Sequence, residues 1–162
     1  MRDRRRPLFW KGSSKKDFKA FPVAVQKDMG VTLFIAQLGR TAASAKRWKG
    51  AWSRVTMDSK QSLKGPDNVL IDLGLEDAEE LTAKASLAVK LNDLVEKRGL
   101  SQTEVAAITG MTQPKVSQVS RYKLQNISLE RLMQALVSLD QRVEIVVRPA
   151  RRAHAAGITV AA

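Results

Sequence analysis

The polar side chains with the most informative spacing lie between positions 101 and 123 of a 162-residue sequence. Gln102 and Gln113 carry primary amides, which offer a donor and an acceptor on one planar group. Lys115 and the basic residues after it can pair with a phosphate. Such groups favour recognition of a charged, hydrogen-bonding ligand over catalysis. The candidate set is Ser101, Gln102, Thr112, Gln113, Lys115, Ser117, Gln118, Arg121 and Lys123.

Other kinds of chemistry lack the residues that they need. The sequence has no cysteine and one histidine, His154, which excludes disulfides, thiolate zinc sites and a Ser-His-Asp triad. No suitable pair of general acid and base is visible, so we predict no catalytic residue, no metal site and no cofactor. No apolar run approaches the ~20 residues of a membrane span, and no secretory signal is recognisable. A cytoplasmic location is therefore the expectation.

The positive charge is unevenly distributed along the chain. Residues 1–65 hold 16 basic and 4 acidic residues, a net charge of +12, whereas residues 66–162 hold 12 of each. The second part is itself polarised. It has six acids and no base from Asp67 to Glu80, and eight bases against three acids from Lys115 to Arg152. A neutral domain with one basic end can bind a polyanion through that end.

Helical signals dominate the chain after a turn cluster at residues 65–68. Apolar residues recur with helical spacing over residues 77–98, which predicts one long helix. Ser128 is a typical N-cap and opens a further helix with the same spacing. The period then changes, because apolar residues alternate over residues 142–148. This alternation predicts a β-strand, which a second strand at 157–161 could join as a hairpin.

Two short helices lie between these elements. A capping box of Ser101 and Glu104 opens the first, over residues 101–109, and Gly110 ends it. The second covers residues 112–120. Two short helices joined by a turn that contains glycine have the geometry of a helix-turn-helix. The alternative is a plain helical hairpin inside an α-helical domain.

The residues LSQTEVAAITGMTQPKVSQV resemble the lambda-repressor or Xre-type helix-turn-helix. The matching positions are Leu100, Ser101, Gln102, Ala106, Gly110, Met111, Thr112, Val116 and Ser117. One departure concerns the end of the second helix. The family pattern continues from the Val-Ser pair to a glycine, and the sequence from Gln118 to Lys123 has none.

This resemblance implies a role for each candidate residue. The second helix would enter the major groove of DNA with its N-terminal residues at base edges. The base-facing residues would be Thr112, Gln113, Lys115, Ser117 and, one turn on, Gln118. Gln113 would read adenine, since a primary amide can pair with it bidentately. Backbone contacts are expected from Ser101, Gln102, Arg121 and Lys123, and Gln102 resembles the phosphate-clamping glutamine of the family.

Both parts of the chain resemble components of toxin–antitoxin modules. Residues 66–162 resemble HigA-type antitoxins, which are Xre-type repressors that bind their own operator and a toxin. RPLFWKGSSKKDFKAFP and the helix after it, within residues 6–50, resemble the start of a HigB-type toxin with a RelE-like fold. The sheet and the catalytic residues that follow in that family are missing. The implied partners are operator DNA, a second copy in a homodimer, and a HigB-like toxin.

The N-terminal part cannot close a strong core alone. Residues 6–10 predict a short strand, Ser14 opens a helical stretch, and Pro22 begins a longer helix that ends at Gly39. One strand and two helices are too few elements for independent stability. The aromatic residues must therefore pack loosely, contact the helix-turn-helix domain or bind another chain. They are Phe9, Trp10, Phe18, Phe21 and Phe34.

The sequence thus predicts a mainly α fold. A lambda-repressor-like helix-turn-helix domain with a C-terminal β-strand or hairpin follows an incomplete α+β segment of one strand and two helices. The predicted ranges are 1–52 for the toxin-like segment, 53–68 for a linker, 69–141 for the DNA-binding domain and 142–162 for the strand or hairpin, which we expect to carry a dimer contact.

The predicted function is a sequence-specific, DNA-binding repressor of a toxin–antitoxin module. It would be cytoplasmic, associated with the nucleoid and without enzymatic activity. Two alternatives come from other classes of protein. One is a RelE/HigB-like toxin that cleaves mRNA, and the other is a toxin-binding protein that does not bind an operator.

Overall fold

The computed structural model of the protein describes residues 6–42 and 68–147, together with 149, 158 and 160. Within them the chain is mainly helical. The helices are α1 (Ser14–Lys19), α2 (Val23–Gln37), α3 (Val69–Asp72), α4 (Ala78–Arg98), α5 (Gln102–Thr109), α6 (Gln113–Ser120) and α7 (Leu129–Ser138). No helix in these ranges is long and apolar enough to cross a membrane.

Local signals set most of the helix ends. Gly99 and Gly110 adopt left-handed backbone conformations, with φ of 63° and 64°, and end α4 and α5. Glycine suits these positions because it has no Cβ to clash with the following carbonyl. The Ser128 side chain accepts a hydrogen bond from Arg131 N and caps α7. The predicted long helix and the three shorter ones after it are confirmed.

Helix α4 is the central element of the core. It contacts α2, α3, α6 and α7. Leu81, Ala85, Ala88 and Leu91 recur along its buried side, as helical spacing requires. Small residues at two of these positions let neighbouring helices approach closely. Helix α3, which the sequence did not predict, packs between α2 and α4.

The strands predicted at residues 6–10 and 142–148 are wrong within the described residues. Residues 6–10 form no strand, although Arg6 N donates one hydrogen bond to Gln37 O at 2.7 Å. Residues 142–147 are also outside any strand. Alternating apolar residues specify an extended backbone, but a strand also needs a neighbour to complete its hydrogen bonds. Position 148 and most of 157–161 lie outside the described residues.

The N-terminal helices pack against the helix-turn-helix part of the chain. This is one of the three arrangements that the sequence left open. Phe18 and Phe34 are buried, and Trp10 is half-buried against them, whereas Phe9 and Phe21 stay exposed. Full burial of a side chain as large as Phe34 contributes roughly 1.5–3 kcal/mol. The predicted linker, 53–68, falls almost wholly outside the described residues.

Candidate nucleic-acid interface

Helices α5 and α6 form a hairpin whose turn contains Gly110, Met111 and Thr112. The capping box is complete at the start of α5. Glu104 N donates to Ser101 Oγ, and Ser101 N donates to the Glu104 carboxylate at 2.8 Å. Hydrogen bonds from the hydroxyl and the backbone N–H of Ser101 hold the pKa of Glu104 below its usual value. The carboxylate therefore supports this helix end at neutral pH and loses the support in acid, as the pH falls through the lowered pKa.

The underside of the hairpin is apolar. Val105, Met111, Val116 and Val119 are all buried, which fixes the opposite sides of α5 and α6 as the solvent-facing ones. Asn92 of α4 adds a polar anchor, since its Nδ2 donates to Val119 O at 3.2 Å. Helix α6 is therefore held at its middle by side-chain packing and near its end by a hydrogen bond.

The predicted base-facing residues lie along the exposed side of α6. Thr112, Gln113 and Lys115 are exposed, while Ser117 and Gln118 are half-buried. Thr112 occupies the N-cap position, but its side chain forms no capping hydrogen bond. Its hydroxyl is thus not used to close the helix end, in contrast to Ser101.

Gln113 is held from the neighbouring helix. Its Nε2 donates to Thr103 Oγ1 at 2.7 Å, across the hairpin. The bond orients the planar amide at the first residue of α6. Thr103 was not among the predicted site residues, because the pairing depends on how the two helices cross.

The predicted backbone-contacting residues flank α6 on two sides. Ser101 and Gln102 are exposed at the start of α5, and Arg121 and Lys123 are exposed just beyond the end of α6. The end of α6 lies at Ser120. All nine predicted residues therefore belong to the hairpin or to the loop directly after it.

Tyr122 explains how α6 ends without the glycine of the family pattern. It has φ of 58°, a left-handed conformation that is uncommon outside glycine, asparagine and aspartate. Its ring is buried. The left-handed conformation costs roughly 1–2 kcal/mol in a residue with a Cβ, and burial of an aromatic ring can offset a cost of that size.

Arg131 of α7 is a further residue that the sequence did not single out. Its guanidinium donates to Gly110 O, the backbone carbonyl at the bend of the hairpin. A second guanidinium nitrogen lies 3.4 Å from Gln134 Oε1. A cation at the C-terminal end of α5 also has a favourable interaction with the helix dipole. Arg131 therefore fixes α7 to the turn that aims α6.

No group of three or more His, Asp or Glu side chains in the described ranges is arranged to hold a metal ion. The arrangement instead presents hydroxyl, amide and basic groups on a rigid hairpin. Such groups can bind base edges and phosphates.

Comparisons with known proteins agree with this geometry. A family of helix-turn-helix domains matches residues 69–148. A protein of known structure, described as an XRE family transcriptional regulator, is 49% identical to the chain, with a TM-score of 0.50. The match covers 53% of this chain and 98% of that protein. The chain belongs to the XRE family of transcriptional regulators. None of the curated proteins matches it.

As an XRE-family member, the protein is a DNA-binding regulator with a helix-turn-helix. The family match begins at Val69 and does not include residues 6–42. The hairpin and its anchors, Asn92, Thr103 and Arg131, all lie inside the match.

We predict that Arg131→Met destabilises the regulator by about 1–2 kcal/mol, because the bond from a charged donor to Gly110 O is lost. DNA affinity should also fall, since α6 is aimed through this turn. Urea unfolding and a DNA titration would measure the two effects. Arg142→Met is the matched control, because among the described residues Arg142 pairs with Glu144 alone, and its side chain is 87% exposed. Equal losses in the two variants would contradict the anchoring role.

Proposed function

We propose that the regulator recognises a specific operator by placing α6 in the major groove. The observation that carries the proposal is the amide of Gln113, exposed at the first residue of α6 and oriented by Thr103 at 2.7 Å. A pre-oriented amide loses little side-chain entropy on binding, which favours a bidentate pair with adenine. Thr112, Lys115 and Ser117 supply neighbouring groups on the same helix, with Gln118 one turn further.

Phosphate contacts would set the register of the protein on the duplex. We assign them to Ser101 and Gln102 on one side of α6 and to Arg121 and Lys123 on the other. These contacts supply affinity that depends on salt but carry no sequence information. The proposed role is binding and repression, with no catalytic step.

We propose further that the protein acts as an antitoxin-like repressor in a toxin–antitoxin module. The support is the HigA-like sequence of residues 66–162, together with the HigB-like start of the chain. The N-terminal segment lacks the sheet and the catalytic residues of a RelE-like nuclease, so RNA cleavage is not part of the proposal.

The proposed operator-bound form is a homodimer. Val137 of α7 is 56% exposed and Ile145 is 76% exposed. Together with Met133 and Val143 they form the apolar part of an open groove of about 580 Å³ between α7 and residues 142–147, whose lining also includes charged and amide side chains of α7. The described residues supply no backbone hydrogen bond to residues 142–147. A second copy could cover the apolar groove and pair with this backbone, as XRE-type readers need two half-sites one helical turn apart.

The reading role of Gln113 can be separated from the positioning role of Lys123. Gln113→Ala should lose about 1–3 kcal/mol on the operator and much less on a scrambled duplex. Lys123→Ala should weaken both duplexes alike and reduce the salt slope by about one unit. Titrations on both duplexes at two salt concentrations measure this.

Thr103→Val tests the orientation of the amide, because it keeps the side-chain shape and removes the acceptor. It should lose part of the sequence preference that Gln113→Ala loses. If Gln113→Ala weakened both duplexes equally, α6 would not read bases in the major groove.

The dimer surface is tested by placing a charge in the groove. Ile145→Lys should shift the protein towards monomer in analytical ultracentrifugation, because a lysine in a covered apolar groove must be desolvated. Val146→Lys is the control, since Val146 is exposed but outside the groove lining. A wild-type monomer at micromolar concentration that also binds DNA as a monomer would contradict the dimer.

A further inference from the structure

Within the part of the chain that the structure describes, three ion pairs join residues 6–42 to the helix-turn-helix part, and all three have the same polarity. Lys15 Nζ lies 2.7 Å from Asp72, Lys27 Nζ lies 2.6 Å from Asp77, and the Arg40 guanidinium lies 2.6 Å from Asp93. In each pair the base comes from the N-terminal segment and the acid from the region 72–93. The two surfaces are thus complementary in charge.

Asp72 collects the densest set of these contacts. Trp10 Nε1 also donates to it, at 2.9 Å. Burial alone would raise the pKa of Asp72, but the hydrogen bonds from Lys15 and Trp10 and the charges of Lys15 and Lys19 outweigh burial and lower it. The stability that the ionised Asp72 carboxylate adds to this contact is therefore present at neutral pH. It is lost as the pH falls through the lowered pKa.

An apolar contact lies beside the ion pairs. Val31, Phe34 and Ile35 of α2 are buried in one cluster with Val69, Leu70 and Leu73. Gly30 permits the close approach, because a Cβ at this position would lie 2.9 Å from Leu70 Cδ2 and 3.4 Å from Leu73 Cδ1. The docking face is defined here as residues 69–88 together with Asp93. Its chemistry is an apolar strip with an acidic rim.

The docking face lies inside the family match, and the segment that covers it lies outside. The face falls within residues 69–148, which match the helix-turn-helix family, whereas residues 6–42 do not. The alignment with the similar regulator uses 53% of this chain and covers 98% of the regulator. The face also retains an unused acceptor, since Asp77 Oδ1 is buried without a hydrogen-bond partner among the described residues.

We propose that the docking face binds a basic, amphipathic helix of a second protein, and that residues 6–42 occupy this face as an intramolecular competitor. Complementarity of charge and of apolar surface selects this class of partner. A tethered segment has an effective concentration of about 1 mM. A partner therefore reaches the face only if its affinity overcomes this competition, or if the contact of residues 6–42 with the face is weakened. The proposal goes beyond operator binding and does not depend on it.

The test uses the full chain and a fluorescein-labelled synthetic peptide of residues 6–42 as the probe. Gly30→Leu weakens the tethered segment while the face and the probe stay unchanged. Ala36→Leu is the control, because it adds the same side chain at an exposed position of α2. The probe should bind the Gly30→Leu protein about tenfold or more tightly than the wild type or the control.

A second pair of variants tests the charge contribution. Lys27→Glu should open the face in the same way, because it reverses the charge that pairs with Asp77. Lys16→Glu is the control and should not open it, because Lys16 is exposed and forms no ion pair within the described residues. Asp77→Lys added to Gly30→Leu should abolish probe binding, and salt should weaken it. Operator titrations with the same variants should stay unchanged, which confirms folding and separates this result from the DNA-binding proposal.

Equal probe binding by wild type, Gly30→Leu and Ala36→Leu would overturn the proposal, as would binding that survives Asp77→Lys. Sedimentation provides a further arm. If Gly30→Leu alone lowered the mass of the assembly, residues 6–42 would be exchanged between two copies, and the occupant would be a second copy of this chain rather than another protein.

Discussion

An eight-residue helix cannot hold its shape in water, so the orientation of α6 depends on what lies beneath it. Val116 and Val119 are buried against the hairpin and α4, and this packing decides which side of α6 faces outwards. Polar contacts then restrict the remaining freedom. Asn92 holds the end of α6, Thr103 holds its first side chain, and Arg131 holds the turn before it.

The same arrangement separates the functions of the two surfaces of the regulator. The exposed side of α5 and α6 carries amides, hydroxyls and bases, which suit a duplex. The docking face carries acids, which would repel a duplex. Among the described residues, three of these acids pair with bases of residues 6–42. Part of the excess positive charge of the N-terminal part is thus paired with acids of the same chain.

Sequence reasoning located the hairpin because its signals are local. The Ser101–Glu104 capping box, Gly110 and the apolar positions of α5 and α6 act within a few residues of each other. The nine candidate side chains follow from that register, and the structure places them on the hairpin and the adjoining loop. Their roles towards DNA stay predictions.

The failures of sequence reasoning have a common physical origin. The alternation at 142–147 specifies an extended backbone but not a partner, so no strand forms there among the described residues. Helix α3 has four residues, too few to show a helical period. The contacts across helices are made by Thr103, Asn92 and Arg131. Tyr122 takes a left-handed conformation that glycine usually adopts, and burial of its ring offsets the cost. Such features depend on tertiary packing, which no local window contains.

Selection of bound duplexes from a random pool tests the central claim most directly. The full chain is incubated with the pool at physiological salt, and bound duplexes are recovered and sequenced over several rounds. We expect enrichment of one motif with two inverted half-sites about ten base pairs apart. Recovery of duplexes without any enriched sequence, at an affinity set by salt alone, would contradict it.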